Sequence, residues 1–569
     1  MNKHTIALLE QHFDTAFSAP DGIKKLRELI LTLAMQGKLV PHDPNDPPVS
    51  QLLKEIEAEK KRLVKESKIK APKPLPEITT SDEPYALPQG WQWVRLGTIG
   101  NIFNGNSINA SEKESKYTGV KGLPYVATKD VGYGFEPLDY ENGICIPLDE
   151  TKFRIAHKDA VLICAEGGSA GKKCGLTDRD ICFGNKLFAN ELYGQISSKF
   201  ILYVYLSSVF RASFTIAMTG IIGGVSIAKF VEIPIPLPPL EEQLRIVDKI
   251  DQLMERCDAL EVLRNARERK RLAVHAAALT QLLDITSNGN SDDACAFITR
   301  HFEDIYSVKE NVAELRKAIL NLAIMGKLTE RRKDDRPVKE LLEKIKSERS
   351  RLLIRRATND QIDPKKLTYS IPDSWVLLPL NAILIFGPTN GYSPKAVDYE
   401  TKVKSLTLSA TTSGVFKGEH SKFIADDIPA SSDLWLEDGD ILVQRGNSIE
   451  YVGVPAIYKG GRNIYIYPDL MMKLRVSREL DNDYVCFAMS AAPSRDFLRE
   501  RASGTSGTMP KINQKILMSL PIPVPPLEEQ RRIVEKINKL MKQCNQLEMQ
   551  IEVANRKRSE LLNAVMAQV

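Results

Sequence analysis

The 569-residue sequence has no apolar run approaching the ~18 residues of a membrane-spanning helix, and its start, MNKHTIALLEQHFD, lacks a signal-peptide core and cleavage site. The expectation is a soluble, cytoplasmic protein with no membrane partner. Cysteine is sparse at eight, with no C-x-x-C pair, and the four that lie in one stretch (Cys145, Cys164, Cys174, Cys182) are too irregularly spaced for a zinc site. Buried thiols in a reducing compartment are expected instead. The seven histidines are scattered, and no H-E-x-x-H occurs. Charge of one sign is lacking too: Lys+Arg 78 against Asp+Glu 73 leaves +5, so any nucleic-acid contact must rest on local positive charge. What is present is a 43% hydrophobic content, which excludes a largely disordered chain, and a length that predicts several domains.

Catalytic signatures are missing as well. GGSAGKK (167–173) resembles a phosphate-binding loop but has Glu166 where glycine is needed and Lys173 where serine or threonine is needed. There is no G-x-G-x-x-G after a strand, no G-x-S-x-G, and no Asp/Asn-Pro-Pro-aromatic motif. The acidic group Glu437, Asp438 and Asp440 reads as a solvated turn before a strand at 441–443 rather than as a metal site. No catalytic, cofactor-binding or metal-ligating residue is assigned, so a recognition module is favoured over an enzyme.

The informative feature is an internal repeat. LRELILTLAMQGKL (26–39) recurs as LRKAILNLAIMGKL (315–328) at an offset of 289, and VSQLLKEI (49–56) recurs in register as VKELLEKI (338–345). IPIPLPPLEEQLRIVDKI (233–250) recurs as LPIPVPPLEEQRRIVEKI (520–537) at an offset of 287. The chain is two copies of one unit, joined by the polar ITSNGNSDD (285–293). Between the matched flanks lie two inserts that open alike (LPQGW, IPDSW) but align poorly inside, apart from anchors such as DAVLIC (159–164) and GDILVQ (439–444). Drift alone would affect flanks and inserts equally, so the difference points to different functions on one scaffold.

The inserts read as mixed α/β with many short strands, each ending in a glycine-rich stretch, TGIIGGVS (219–226) and SGTSGTMP (503–510). The flanks read as helices. Ile246, Ile250, Leu253, Cys257 and Leu260, and then Ile533, Ile537, Leu540, Cys544, Leu547, Ile551 and Ala554, follow coiled-coil spacing. The expected fold is α+β: two mixed α/β heads separated by long antiparallel coiled-coil helices in a pseudo-two-fold tandem repeat. The domains are a helical region at 1–89, a head at 90–239, a central helical region at 240–374, a second head at 375–526 and a C-terminal helix at 527–569.

Two unlike heads on a rigid spacer suit a two-part site on a long regular partner, and duplex DNA, with half-sites roughly 34–36 Å apart, is such a partner. Base readout needs Arg, Lys, Asn and Gln on loops. The candidates are Lys129, Arg154, Lys172, Lys173, Asn185 and Lys186 in the first head, and Arg445, Asn447, Arg462, Lys473, Lys511 and Asn513 in the second. Basic runs on the flanks, RNARERKR (264–271), ERSRLLIRR (348–356) and NRKR (555–558), suit partner subunits, the DNA backbone or plain solvation. A scaffold holding two protein or glycan ligands is the alternative, distinguished by weak salt dependence. An enzyme with an unrecognised site, such as Glu166 near Lys172, is a third.

The twice-repeated PIP-[LV]-PPLEEQ-x-RIV-[DE]-KI and LR-x-x-IL-x-LA-x-x-GKL resemble the specificity subunit of type I restriction–modification enzymes over the whole chain. The extended region before the first head is similar to one subset of these subunits. The resemblance implies two target-recognition domains, 90–239 and 375–526, each reading half of a bipartite double-stranded DNA site through the major groove. It implies partnership with two modification subunits, which methylate adenine N6, docked on the helices, and with two restriction subunits. S-adenosylmethionine, ATP and Mg are then expected on those partners, with no cofactor on this chain. The family offers no base-contacting motif that transfers to individual residues.

Overall fold

A computed structural model describes residues 17–133, 135–219, 223–283, 290–354, 361–503 and 509–567. Residues 285–289 of the joint, and 220–222 and 504–508 of the glycine-rich stretches, lie outside the described residues. The chain divides into two compact units, residues 1–266 with 554–569, and residues 267–553. The architecture is α+β, and the two heads share the elements of the larger sheet in the same order, while the first alone has helix Ala110–Lys116 and strand Ile155–Ala156 and the second alone has strand Ala396–Val397.

In the first repeat, helices Gly22–Met35 and Val49–Lys65 precede the head, and a 44-residue helix, Leu240–Leu283, follows it. The second repeat has Lys309–Ile324, Val338–Arg351 and the 40-residue Leu527–Met566 in the same places. At 1.5 Å per residue the long helices run about 66 and 60 Å.

Each head is entered and left through one antiparallel pair, Gln92–Arg95 with Pro234–Leu237 in the first and Val376–Pro379 with Pro521–Val524 in the second. Behind it stands an antiparallel four-stranded sheet. The strand order is Gly100–Asn104, Leu187–Leu192, Val161–Cys164, Cys174–Leu176, matched in the second head by Leu384–Asn390, Met471–Val476, Ile441–Gln444, Pro455–Ile457. The repeat anchors are the central strands Val161–Cys164 and Ile441–Gln444, and every residue in them is buried. A smaller four-stranded sheet in each head contains one parallel pair.

The repeated flank motifs are ties between head and helix. Glu242, the second acid of PPLEEQ, is buried and accepts the Trp91 indole N–H at 3.0 Å; Glu529 does the same for Trp375 at 2.9 Å. Both acids lie in the first helical turn, as the helix dipole favours, but their specific work is to hold the tryptophan that opens each head. The next residue is equally occupied. The Gln243 side chain accepts from Ser197 N and donates to Pro238 O, and Gln530 accepts from Asp481 N and donates to Pro525 O. Arg245 grips Asp46, and Arg532 grips Asp335, through two hydrogen bonds each. The arginine of LR-x-x-IL reaches the long helix: Arg27 pairs with Asp258 and Glu261, and Arg316 bonds Asn545 and Glu548.

The glycine of GKL ends its helix in the left-handed region, φ +65° at Gly37 and +66° at Gly326. A Cβ there would also overlap the Pro88 or Pro372 ring that precedes each anchoring tryptophan. Gly326→Ala therefore adds backbone strain and a ring clash, and is expected to lower the stability of the second unit by about 1–3 kcal/mol. Hydrogen exchange of helix Lys309–Ile324 would measure this; unchanged protection would contradict it.

The coiled-coil reading holds over part of its length. Ile246, Ile250 and Cys257 are buried in a core shared with Ile30, Leu31 and Ala34, but Leu260 is 45% exposed, with Val262 and Leu263 more so. The first seam therefore ends at Cys257. In the second, Ile533, Ile537, Cys544 and Ile551 are buried, Leu540 and Leu547 are half-buried, and Ala554 is exposed.

Candidate nucleic-acid interface

In each head one end of the larger sheet gathers the polar loops. In the first head, the strands ending at Asn104 and Cys164 and those beginning at Cys174 and Leu187 meet there. The glycine-rich stretch is bound to the same end: Val225 N donates to Ala165 O, and Glu166 bridges Gly224. The second head repeats these bonds one for one. Ile512 N donates to Arg445 O, and Gly446 bridges Lys511. Ala165 N to Lys186 O (2.8 Å) corresponds to Arg445 N to Leu470 O (2.7 Å), and Gly171 N to Cys164 O (2.8 Å) to Gly453 N to Gln444 O (2.7 Å).

The backbone frame is shared, and the side chains mounted on it differ. Arg445 stands where the first head has Ala165, and Lys511 where it has Gly224. Conversely, Lys173 and Lys186 stand where the second head has Val454 and Leu470. The loop closed between Cys164 and Gly171 in the first head is closed between Gln444 and Gly453 in the second, two residues longer.

All six first-head candidates lie at this end. Lys173 donates to Thr128 O at 3.0 Å and sits 4.8 Å over the Tyr133 ring, which is itself exposed. Lys129 occupies the adjoining turn Thr128–Asp130, 3.5 Å from the Asp130 carboxylate. Lys172 donates to Gly168 O, so it serves its own loop. Arg154 donates to Asn104 O and Oδ1, at 3.0 and 2.9 Å. Asn185 and Lys186 are exposed on the turn before Leu187–Leu192.

The second head sorts its candidates differently. Arg445 and Lys511 are at this end; Arg445 donates through Nε to Ile512 O at 3.3 Å. Asn447 is there too, but its amide is engaged internally, donating to Gln444 Oε1 and accepting from Ser448 N. Asn513 accepts from Ile516 N as the cap of helix Gln514–Met518, as Ser226 caps Ile227–Phe230. Arg462 lies at the opposite end of the strand Ile441–Gln444, paired with Glu437 at 3.1 Å.

Lys473 is not a surface group. It is 1% exposed, donates to the carbonyls of Asp433 and Trp435, lies 3.7 Å from Asp440 and faces the Phe386 ring. Burial pushes its ammonium below the usual lysine range. This also corrects the expectation of a solvated acidic turn at one of its three acids. Asp440 is fully buried, accepting from Glu437 N and from Arg475 Nε at 2.7 Å, and Glu437 pairs with Arg475 and Arg462. Asp440 and Glu437 are thus paired with cations, Asp438 stays exposed and accepts from Gly460 N, and no metal-holding group of His, Cys, Asp or Glu exists among the described residues.

Of the seven cysteines whose side chains are described, six are buried and all seven are free thiols. Burial holds Cys174 and Cys486 up at about 12 and Cys182 at about 11, so these remain protonated and unreactive.

Sequence reasoning missed a motif inside the inserts. Asn104-Gly105-Asn106-Ser107 and Asn390-Gly391-Tyr392-Ser393 occupy the same place, with Asn106 N on Phe183 O and Tyr392 N on Tyr467 O, both 2.9 Å. A Cβ at Gly105 or Gly391 would fall on that carbonyl, so only glycine fits. The shared N-G-x-S was visible in the sequence and would have registered the two reading ends.

The family model described as a type I restriction modification DNA specificity domain matches residues 88–267 and 400–554. The specificity subunit of the type I restriction enzyme EcoAI of Escherichia coli is 31% identical, over 96% of this chain and 93% of its own. That of EcoEI, also from Escherichia coli, is 28% identical over the same shares. A solved chain from a study of complex assembly and conformational transition in the type I R-M system aligns over 85% of this chain and 98% of its own, with 16% identity and a TM-score of 0.46.

Proposed function

The chain belongs to the type I restriction–modification DNA specificity family, and on that premise we propose that each head reads one half of an asymmetric bipartite DNA site through the loop end described above. The chain is a specificity subunit of such a system. The observation that carries the residue-level reading is the shared frame with exchanged cations. A common backbone presents Lys173 and Lys186 in one head and Arg445 and Lys511 in the other, so two similar surfaces read two different sequences.

The division of labour follows from the chemistry. Lysine and arginine at loop ends reach phosphates, which set position, and an arginine with both Nη groups available is suited to a guanine edge. Exposed apolar residues on the helix Leu240–Leu283, Leu260, Val262 and Leu263, would dock partner subunits, two for modification and two for restriction. The methyl donor, the nucleotide and its magnesium would belong to those partners, leaving this chain non-catalytic. Such a complex works in the cytoplasm, where DNA and partners meet.

The test is DNA retardation by the complex of this chain with its modification partner across a salt series. Affinity for the bipartite target is expected to fall steeply between about 50 and 200 mM salt, by about a thousandfold for roughly six phosphate contacts. A flat salt response would favour a scaffold for protein or glycan ligands and contradict the reading.

A further inference from the structure

Resting on the reading just proposed, we infer that Asp469 is a specificity-determining residue of the second head, accepting a hydrogen bond from the exocyclic amino group of one base in its half-site. The turns FGNKL (183–187) and YPDLM (467–471) are the same element in the two heads. Leu187 N donates to Gly184 O and Met471 N to Pro468 O, both at 3.0 Å, and the residues that follow enter equivalent strands. Asn185 and Asp469 therefore occupy one frame position, and both are exposed. An amide, able to donate and accept, faces an acceptor-only carboxylate across the repeat.

The carboxylate is held for this use. Ser393 of the N-G-x-S motif donates its hydroxyl to Asp469 Oδ1 at 2.5 Å and accepts from Asp469 N at 3.1 Å. Oδ2 has no protein partner among the described residues. Arg445 is adjacent, its N–H on the carbonyl of Leu470 at 2.7 Å. A negative group on a surface meant for DNA is repelled by every phosphate, so the oxygen left over from bracing Ser393 is favourable there where it meets a base donor, the amino group of cytosine or adenine. Beside Arg445, which follows the neighbouring strand and whose guanidinium suits guanine, it completes an acceptor–donor pair at one end of the sheet.

The experiment is Asp469→Asn in the complex with the modification subunit. Asparagine retains an acceptor for Ser393 and is the residue the first head carries in the same turn, so folding is not at issue. Binding competition against single-base-pair variants of the target is expected to show about a 10-fold change in preference at one base pair of the second half-site, with the first half-site unaffected. Asp469→Ala should lose discrimination at the same base pair. Uniformly tighter binding to all variants would overturn the inference, because it would mean that the carboxylate only repels phosphates. An unchanged preference profile would also overturn it. The wild-type complex run in parallel separates the premises: if it lacks a bipartite preference, the head-by-head reading fails as well; if it has one, only the assignment of Asp469 is lost.

Discussion

Asp440→Ala is expected to destabilise the second head by about 3–5 kcal/mol, comparable to the whole stability of a small domain, while leaving the first head folded. Asp440 is fully buried and is the counter-charge for Lys473 and Arg475 inside the sheet. Removing it leaves the Lys473 ammonium, 1% exposed, with only backbone carbonyls and aromatic faces for company. Arg475 is less exposed to this loss, because its side chain is 27% accessible and also reaches Glu437. The first head shows that the fold does not need the charges: its equivalents of Asp440 and Lys473 are Ala160 and Ala189, both buried. Asp440→Ala with Lys473→Met should therefore recover most of the loss. Hydrogen exchange of strands Ile441–Gln444 and Met471–Val476 measures both variants, with Val161–Cys164 as the internal reference. A single-variant loss below ~0.5 kcal/mol, the size of a surface change, would contradict the account.

Arg445→Ala is expected to relax the second half-site at one base pair by about 1–3 kcal/mol, the worth of a bidentate contact to guanine. Its Nε is fixed on Ile512 O, which aims the guanidinium and leaves both Nη groups without a protein partner among the described residues. Lys511→Ala is the matched comparison. Lys511 is exposed and bridged to Gly446 through backbone alone, so a phosphate contact is its natural use. Its loss should weaken binding to all sequences alike and reduce the salt slope by about one. The pair is checked by competition binding at two salt concentrations. If both variants weakened binding uniformly, Arg445 would be a phosphate contact and not a base reader.

The repeat, the helical flanks and the position of both inserts were legible in the sequence because each rests on local chemistry repeated twice. PPLEEQ begins a helix whose Glu and Gln each meet equivalent buried partners in both repeats, so the same letters do the same work twice. The loop ends were half legible. Most of the lysines and arginines singled out near strand ends do gather at one end of the larger sheet, but exposure is a tertiary property: Lys473 has a surface residue's composition and a core residue's place. Asn513 and Asn447 looked like base readers because caps and loop braces use the same amide chemistry. Asp469 escaped because a search for basic groups passes over a carboxylate, and only the correspondence of its turn with Asn185 marks it. Leu260 continues the coiled-coil spacing and is nonetheless exposed, because periodicity says which face a residue lies on and not whether anything covers it.

The central claim is that the two heads read independently on one scaffold. Its most direct test replaces residues 91–239 with the corresponding interval of a relative of different target, expresses the chain with its modification partner, and maps N6-methyladenine across the host genome. The account predicts a new bipartite motif in which one half and the spacing are retained and the other half is exchanged. Retention of both original halves, or replacement of both, by an assembled complex would contradict it.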